Sequence, residues 1–207
     1  HYFPSPAATN TLSTEQLKAA TERARRQGLS NAVRFTLEDY RELSGSYDRI
    51  VSVGMFEHVG VPRYDEFFRK VNDLMPDDGI MLLHSIGHMS PPGSASPWLR
   101  KYIFPGGYSP ALSEVFPAVE NNRLWVTDVE FLRVHYADTL AHWHRRFEAN
   151  RDKITRMYDE RFCRMWEFYL AYCEAGFRAG YLGVCQLRLV HQPIFRTSDL
   201  SIFGTEL

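Results

Sequence analysis

The chain has 207 residues, of which 44% are hydrophobic and 24% charged, so it suits a globular domain and excludes a disordered chain or a small disulfide scaffold. Its 24 Lys and Arg against 25 Asp and Glu leave a formal charge of −1, which gives no electrostatic reason to expect nucleic acid as a partner. The three cysteines lack CxxC spacing and no apolar run is long enough to span a bilayer, so we predict free thiols in a cytoplasmic protein. Aromatic residues reach 14%, which favours either a core of large side chains or an apolar ligand pocket.

The first half of the chain has the pattern of an α/β protein. Residues 1–10 show no hydrophobic period and predict an irregular arm, whereas Ser13 and Gln16 have capping-box spacing and predict a helix that ends before Gly28. Strands are predicted at 32–37, 48–54 and 80–87, with a helix at 64–74, and the last two strands are expected to be covered on both faces. Such a strand–helix–strand unit with short links belongs to a parallel sheet.

The second half begins with a stretch rich in proline and glycine. Residues 88–123 are too long for a plain connection and predict an insertion or lid. The elements predicted after it are a strand at 124–134, a helix at 138–149, one longer helix at 154–177 and a strand at 186–190, with a tail at 191–207.

Two ionisable residues follow neighbouring strands of this predicted sheet. Glu57 comes three residues after the strand that ends at Gly54, and His84 lies inside the next apolar strand. Ligands of open α/β sheets bind beyond the carboxyl ends of the strands, where a carboxylate and an imidazole can exchange protons or hold a small polar ligand. A satisfied core histidine and a loop-capping glutamate explain the same two residues.

Five segments in the same order resemble the cyclopropane-fatty-acyl-phospholipid synthase family, which includes the mycolic acid cyclopropane synthases. The segments are DRIVSVGMFEHVG (48–60), LLHSIG (82–87), KYIFPGG (101–107), YADTL (136–140) and YLAYCEAGFR (169–178). The resemblance implies an α/β, Rossmann-like class I methyltransferase sheet over residues 11–190, incomplete at its N-terminus, with a helical lid or insertion.

The resemblance also implies a reaction. Members of the family transfer a methylene group from S-adenosylmethionine (SAM) to the cis double bond of an unsaturated acyl chain, through a carbocation that bound bicarbonate deprotonates. It assigns Glu57, His84, Tyr136 and the backbone at Ile86 to the bicarbonate, and it matches Cys173 to the cysteine assigned as an active-site residue. Tyr136 and His84 can donate hydrogen bonds to an anion, and Glu57 can accept the bicarbonate OH. Cys173 lies on the apolar side of a helix, where a packed thiol is the simpler interpretation.

The cofactor segments match only in part. Thr11 and Gln16 match a segment that contacts SAM, although a capping box also explains Gln16, and Asp39 and Tyr40 match the segment near the adenine. The glycine-rich loop of the family is absent, so the backbone approach that such glycines allow is missing. Either a fragment of a longer synthase or a shortened homologue without SAM binding explains this gap, and we favour the fragment.

Several further expectations accompany the resemblance. A methyl-branching fatty acid methyltransferase of the same family and a non-catalytic lipid-binding homologue are the alternative functions. Aromatic and basic residues at 89–107 suit peripheral contact with a membrane surface that supplies phospholipid acyl chains, although a lid packed on its own domain fits equally. A homodimer is compatible with the resemblance. His135, His142 and His144 lack the spacing of a helical metal site, so no metal is predicted.

Overall fold

A computed structural model describes residues 7–191 of the chain. Its contacts divide the chain into two compact units, His1–Gly45 and Ser46–Leu207, and each unit is taken by itself below. The predicted tail at 191–207 lies outside the described residues except for His191, whose Nε2 is 2.9 Å from the Met75 carbonyl oxygen.

The first unit is a β–α–β arrangement. Strand β1 (Ala7–Thr11) pairs in parallel with β2 (Val33–Leu37), and helix α1 (Thr14–Arg26) connects them. The Ser13 side chain caps α1 by accepting a hydrogen bond from Gln16 N, as the sequence predicts. The irregular arm predicted for residues 1–10 is wrong at residues 7–10, because main-chain pairing with β2 forms a strand there without any hydrophobic alternation.

The second unit contains a four-stranded mixed sheet. Its strands are β3 (Arg49–Val53), β4 (Ile80–Gly87), β5 (Trp125–Leu132) and β6 (Gly183–Val190), in the spatial order β3-β4-β6-β5. Strands β3 and β4 are parallel, and β6 runs antiparallel to both β4 and β5. The carboxyl ends of β3 and β4 therefore lie at one edge of the sheet, beside the start of β6.

Helix α2 (Tyr64–Leu74) connects β3 to β4 and buries the apolar face that its sequence predicts. The connection from β4 to β5 holds a short helix α3 (Pro97–Tyr102) and then α4 (Leu112–Asn121). Helix α4 packs against α2, and the buried Asn122 side chain donates to Asp65. The insertion predicted at 88–123 therefore contains helix α4, which packs against α2.

Three helices follow β5: α5 (His135–Glu148), α6 (Arg151–Met157) and α7 (Glu160–Arg178). The single helix predicted at 154–177 is wrong, since the chain leaves helical geometry at Tyr158 and restarts after Asp159. The Asp159 carboxylate accepts a hydrogen bond from Phe162 N at 2.6 Å and caps α7. Apolar spacing continues across this break, so periodicity alone does not reveal it.

Strand β3 is less buried than its sequence predicts. Strand β3 was expected to be covered on both faces, but Val51 and Val53 are each 63% exposed. The apolar run therefore has one covered face, with Ile50 and Ser52 half-buried.

Over residues 7–191, the helices are all too short or too polar to cross a bilayer.

Candidate active site

Glu57 lies just beyond the carboxyl end of β3, in a short 3-10 helix at Phe56–His58. The turn begins at Gly54, which has φ +64° and donates its N–H to the His84 carbonyl. The buried Phe56 ring stacks on Tyr64 of α2 at 4.3 Å and fixes the turn. Glu57 is thereby directed at β4, where its Oε1 accepts a hydrogen bond from Ile86 N at 2.7 Å.

The second carboxylate oxygen of Glu57 has no partner. Its Oε2 is buried and makes no hydrogen bond within residues 7–191. A buried oxygen without a donor costs roughly 1–3 kcal/mol, more when charged, so a ligand that supplies an O–H or N–H would relieve it.

His84 lies on β4, directly opposite Gln186 of β6 in the antiparallel register. The amide nitrogen of Gln186 is 2.9 Å from His84 Nδ1, which closes that side of the ring. The described chain gives the other ring nitrogen, Nε2, no hydrogen-bond partner.

Tyr136 is on the first turn of α5, and its ring packs on Phe177 of α7 at 5.0 Å. Burial, followed by the nearby Glu57 carboxylate, raises the pKa of Tyr136, so the phenol stays protonated and can donate. Its hydroxyl makes no hydrogen bond to any residue in the range 7–191.

All five predicted bicarbonate and active-site residues line one cavity of about 310 Å³. The polar groups of Glu57, His84 and Tyr136 share it with Cys173 and Ile86. The remaining wall is largely apolar and aromatic, with members Val53, Leu99, Phe104, Leu140, Tyr169, Phe177 and Leu182. The structure therefore brings a small set of unpaired polar groups together with an apolar pocket, which is the form of a small-molecule site.

Cys173 is a buried thiol, 8% exposed, on the inner face of α7. Burial raises its pKa to about 11, so the thiol is protonated near neutral pH. This fits a packing role, because a nucleophile requires the thiolate.

The predicted SAM contacts all lie in the first unit. Thr11 Oγ1 donates to Gln16 Oε1 at 2.9 Å, near the end of β1. Asp39 accepts from the Arg41 backbone and guanidinium, and Tyr40 follows it at the start of a short 3-10 helix. These groups can hold parts of SAM, but the sequence contains no G-x-G-x-x-G turn to let the backbone approach it, so the fit is partial.

Sequence reasoning missed Gln186, because only the pairing of β4 with β6 shows that it faces His84. It also missed a group formed by His144, Glu148 and Glu167, whose ligand atoms lie within 4.8 Å of one another. The Arg151 guanidinium donates to both carboxylates, at 3.0 and 2.9 Å, and so offsets part of their negative charge. Arg151 therefore stabilises the junction of α5, α6 and α7.

The fold is that of class I SAM-dependent methyltransferases. A solved example is the mycolic acid cyclopropane synthase CmaA1 complexed with SAH and CTAB, which matches with a TM-score of 0.81 and 31% identity over 89% of this chain and 69% of that one. The Rossmann-like class predicted from the sequence is confirmed.

The chain belongs to the mycolic acid cyclopropane synthetase family, whose pattern it matches over residues 6–187. It is 42% identical over 169 residues to the cyclopropane-fatty-acyl-phospholipid synthase of Escherichia coli, covering 82% of this chain and 43% of the relative. It is 39% identical over 188 residues to the tuberculostearic acid methyltransferase UfaA1 of Mycobacterium tuberculosis, covering 88% and 44%. The chain thus spans less than half the length of these two relatives.

Proposed function

We propose that this chain carries the lipid-reacting half of a SAM-dependent cyclopropane synthase acting on cis-unsaturated acyl chains of phospholipids. The observation that supports this most directly is the meeting of Glu57, His84 and Tyr136 in one apolar cavity. The E. coli relative is a cyclopropane-fatty-acyl-phospholipid synthase, which suggests the substrate class.

The three polar groups suit bicarbonate. His84 and Tyr136 can donate to its charged oxygens, while the unpaired Glu57 Oε2 can accept its O–H. The N–H of Ile86 is already given to Glu57, so in this arrangement the backbone at Ile86 positions the carboxylate. A base held in this way would lie against the acyl chain that the apolar wall accommodates.

SAM supplies an electrophilic methyl group when it is bound. An alkene carbon would form the new bond to that methyl carbon, and the C–S electron pair would stay on sulfur. Bicarbonate held by Glu57, His84 and Tyr136 would then accept a proton from the transferred methyl group of the resulting carbocation, and the C–H electron pair would close the ring.

The aromatic wall can stabilise the positive charge during this step. Tyr136 and Phe177 pack at 5.0 Å, and Phe104 and Tyr169 at 5.8 Å, all lining the cavity. Aromatic faces attract cations, and by roughly 2 kcal/mol or more where water is excluded. Burial of Tyr169 raises its pKa, so its ring stays a neutral phenol.

A membrane surface is the proposed source of the acyl chain. Trp98 of α3 packs edge-on against Phe168 of α7 at 4.7 Å, and Phe168 and Tyr102 are 52% and 41% exposed. Trp98, Tyr102 and Phe168 line a surface groove, which we call the membrane groove. Arg161 and Arg164 also line it, and Lys101 lies over the Tyr102 ring. Exposed aromatic side chains with cationic side chains beside them suit contact with the interface of an anionic bilayer. We propose that this contact is with the cytoplasmic face of the membrane.

The direct test of the reaction uses phospholipid vesicles with cis-unsaturated chains, bicarbonate and a series of SAM concentrations, followed by mass spectrometry of the lipids. A cyclopropane product gains one carbon and two hydrogens, whereas a methyl branch gains one carbon and four hydrogens. We expect the ring product, with a rate that rises in proportion to SAM because the SAM site is partial. Absence of any product at every SAM concentration would overturn the enzyme proposal.

Two alternatives have specific support. A methyl-branching activity fits the relative named as a tuberculostearic acid methyltransferase, and the mass of the product separates it from ring formation. A non-catalytic lipid-binding role fits the largely apolar cavity, and it predicts lipid binding without turnover. A homodimer stays a prediction for sedimentation analysis.

A further inference from the structure

Gln186 contacts His84, a residue of the proposed anion site, from the neighbouring strand β6. It lies in the middle of β6, opposite His84 of β4, and both residues are half-buried. Its side chain does not line the cavity, yet its amide nitrogen is 2.9 Å from His84 Nδ1. The two strands place this contact by their backbone pairing over eight residue pairs, so it is set by the sheet and not by a loop.

The direction of this hydrogen bond fixes the state of the imidazole. An amide NH₂ group can only donate, so His84 Nδ1 must accept. In the neutral ring the proton then resides on Nε2, which is the nitrogen without a partner in residues 7–191.

We infer that Gln186 is a positioning residue that holds neutral His84 as the Nε2–H tautomer, making the ring nitrogen that Gln186 does not contact a hydrogen-bond donor. The N–H group of a neutral imidazole can donate to an anion without the ring having to carry a positive charge. The assignment of this donor to bicarbonate rests on the proposed function, whereas the tautomer itself does not.

Other polar and charged groups surround His84 without replacing this contact. Glu130 of β5 is the register partner of Gln186. Those lining the same cavity are Glu57, His58, Arg100, Tyr108, Ser109, Tyr136, Tyr169 and Cys173. Glu57 Oε1 is used by Ile86 N, and the Tyr108 hydroxyl donates to Glu114. Gln186 alone contacts the His84 ring by a hydrogen bond in the described part of the chain.

The test is the ring-nitrogen NMR spectrum of His84 in the isotopically labelled chain, assigned by comparison with His84→Gln. We expect the unprotonated-Nδ1, protonated-Nε2 pattern in the unsubstituted chain. Gln186→Glu places an acceptor at Nδ1, so we expect the proton to move to Nδ1 in the neutral ring. Gln27→Glu, an exposed change of the same kind on the other unit, is the matched control and should leave the pattern unchanged.

An Nδ1–H tautomer in the unsubstituted chain overturns the inference, and this measurement needs no variant that might fail to fold. An unchanged pattern in a folded Gln186→Glu chain also overturns it. If the tautomer responds as expected while neither the Gln186→Glu variant nor the unsubstituted chain shows lipid turnover, the positioning role stands and the proposed function fails.

Discussion

The Glu57 carboxylate and the backbone N–H of Ile86 are joined by a hydrogen bond of 2.7 Å across the ends of two neighbouring parallel strands. This bond occupies one oxygen of Glu57 and leaves the other buried and without a partner within the described residues. The carboxylate is therefore held in place with one acceptor oxygen left available. The candidate site depends on this asymmetry.

Glu57→Gln is predicted to remove methylene transfer while keeping the fold. The amide oxygen can still accept from Ile86 N, but the NH₂ group replaces an acceptor with a donor toward the bicarbonate O–H. Loss of a positioned proton-transfer partner costs about 10²–10⁴-fold in rate. Glu120→Gln, an exposed change on α4, should keep full activity in the same mass-spectrometric assay. Equal rates for the two variants would contradict the role of Glu57.

Cys173→Ala is predicted to retain most activity, because methyl transfer to an alkene requires no covalent enzyme intermediate. The substitution should also change the dependence of stability on pH. Burial raises the thiol pKa from an ordinary value of 9.0 to about 11, so the thiol favours the native state at neutral pH, and this contribution is lost as the pH rises from 9.0 through about 11. Chemical unfolding across this range should show a smaller decline for Cys173→Ala. An inactive but folded variant would show that the thiol has a chemical role.

The side-chain cap that Asp159 gives to the N-terminus of α7 is predicted to stabilise the fold. Asp159→Ala removes the acceptor for Phe162 N and should lower the free energy of unfolding by about 0.5–2 kcal/mol. Asp159→Asn keeps a capping oxygen and should restore most of this loss. Denaturant unfolding measures both, with Asp152→Ala as an exposed control. A loss as large for Asn as for Ala would indicate that charge, and not capping, is responsible.

The chain is predicted to bind SAM weakly. The first unit presents Thr11 and Gln16 near the end of β1, but the sequence has no glycine-rich turn to bring backbone N–H groups close to the cosubstrate. Isothermal titration calorimetry should therefore show little heat at micromolar SAM. Tight binding would mean that other residues of this chain form the cosubstrate site.

The predicted membrane groove is testable by vesicle co-sedimentation. Replacing Trp98 and Phe168 by Ala removes the paired aromatic rings, and replacing Arg161 and Arg164 by Gln removes positive charge from the same groove. We expect both double variants to bind anionic vesicles less than the unsubstituted chain. Arg145→Gln with Arg156→Gln, which are not in this groove, is the charge-matched control. Unchanged binding by both groove variants would contradict the assignment.

The sequence predicted those elements whose signals are local. Helix α2 and strand β4 match their predicted bounds because apolar spacing and flanking turns both mark them. It failed at β1, where pairing with β2 supplies the structure, and at Tyr158, where one side-chain cap interrupts a continuous apolar pattern. Glu57 and His84 could be placed at one sheet edge because parallel strands align their carboxyl ends.

Other parts of the site could not be obtained in this way. The family resemblance supplied Tyr136 as a site residue, since nothing in the spacing of α5 indicates that its first turn lines the cavity. Gln186 escaped both approaches, because its contact with His84 depends on the register of two strands separated by about half the chain.

The most direct measurement is NMR titration of the chain with isotopically labelled bicarbonate, without SAM or lipid. We predict saturable binding that is strongly weakened by either Glu57→Gln or Tyr136→Phe and retained by Glu120→Gln. Absence of saturable binding, or equal binding by all three variants, would contradict an anion site formed by Glu57, His84 and Tyr136.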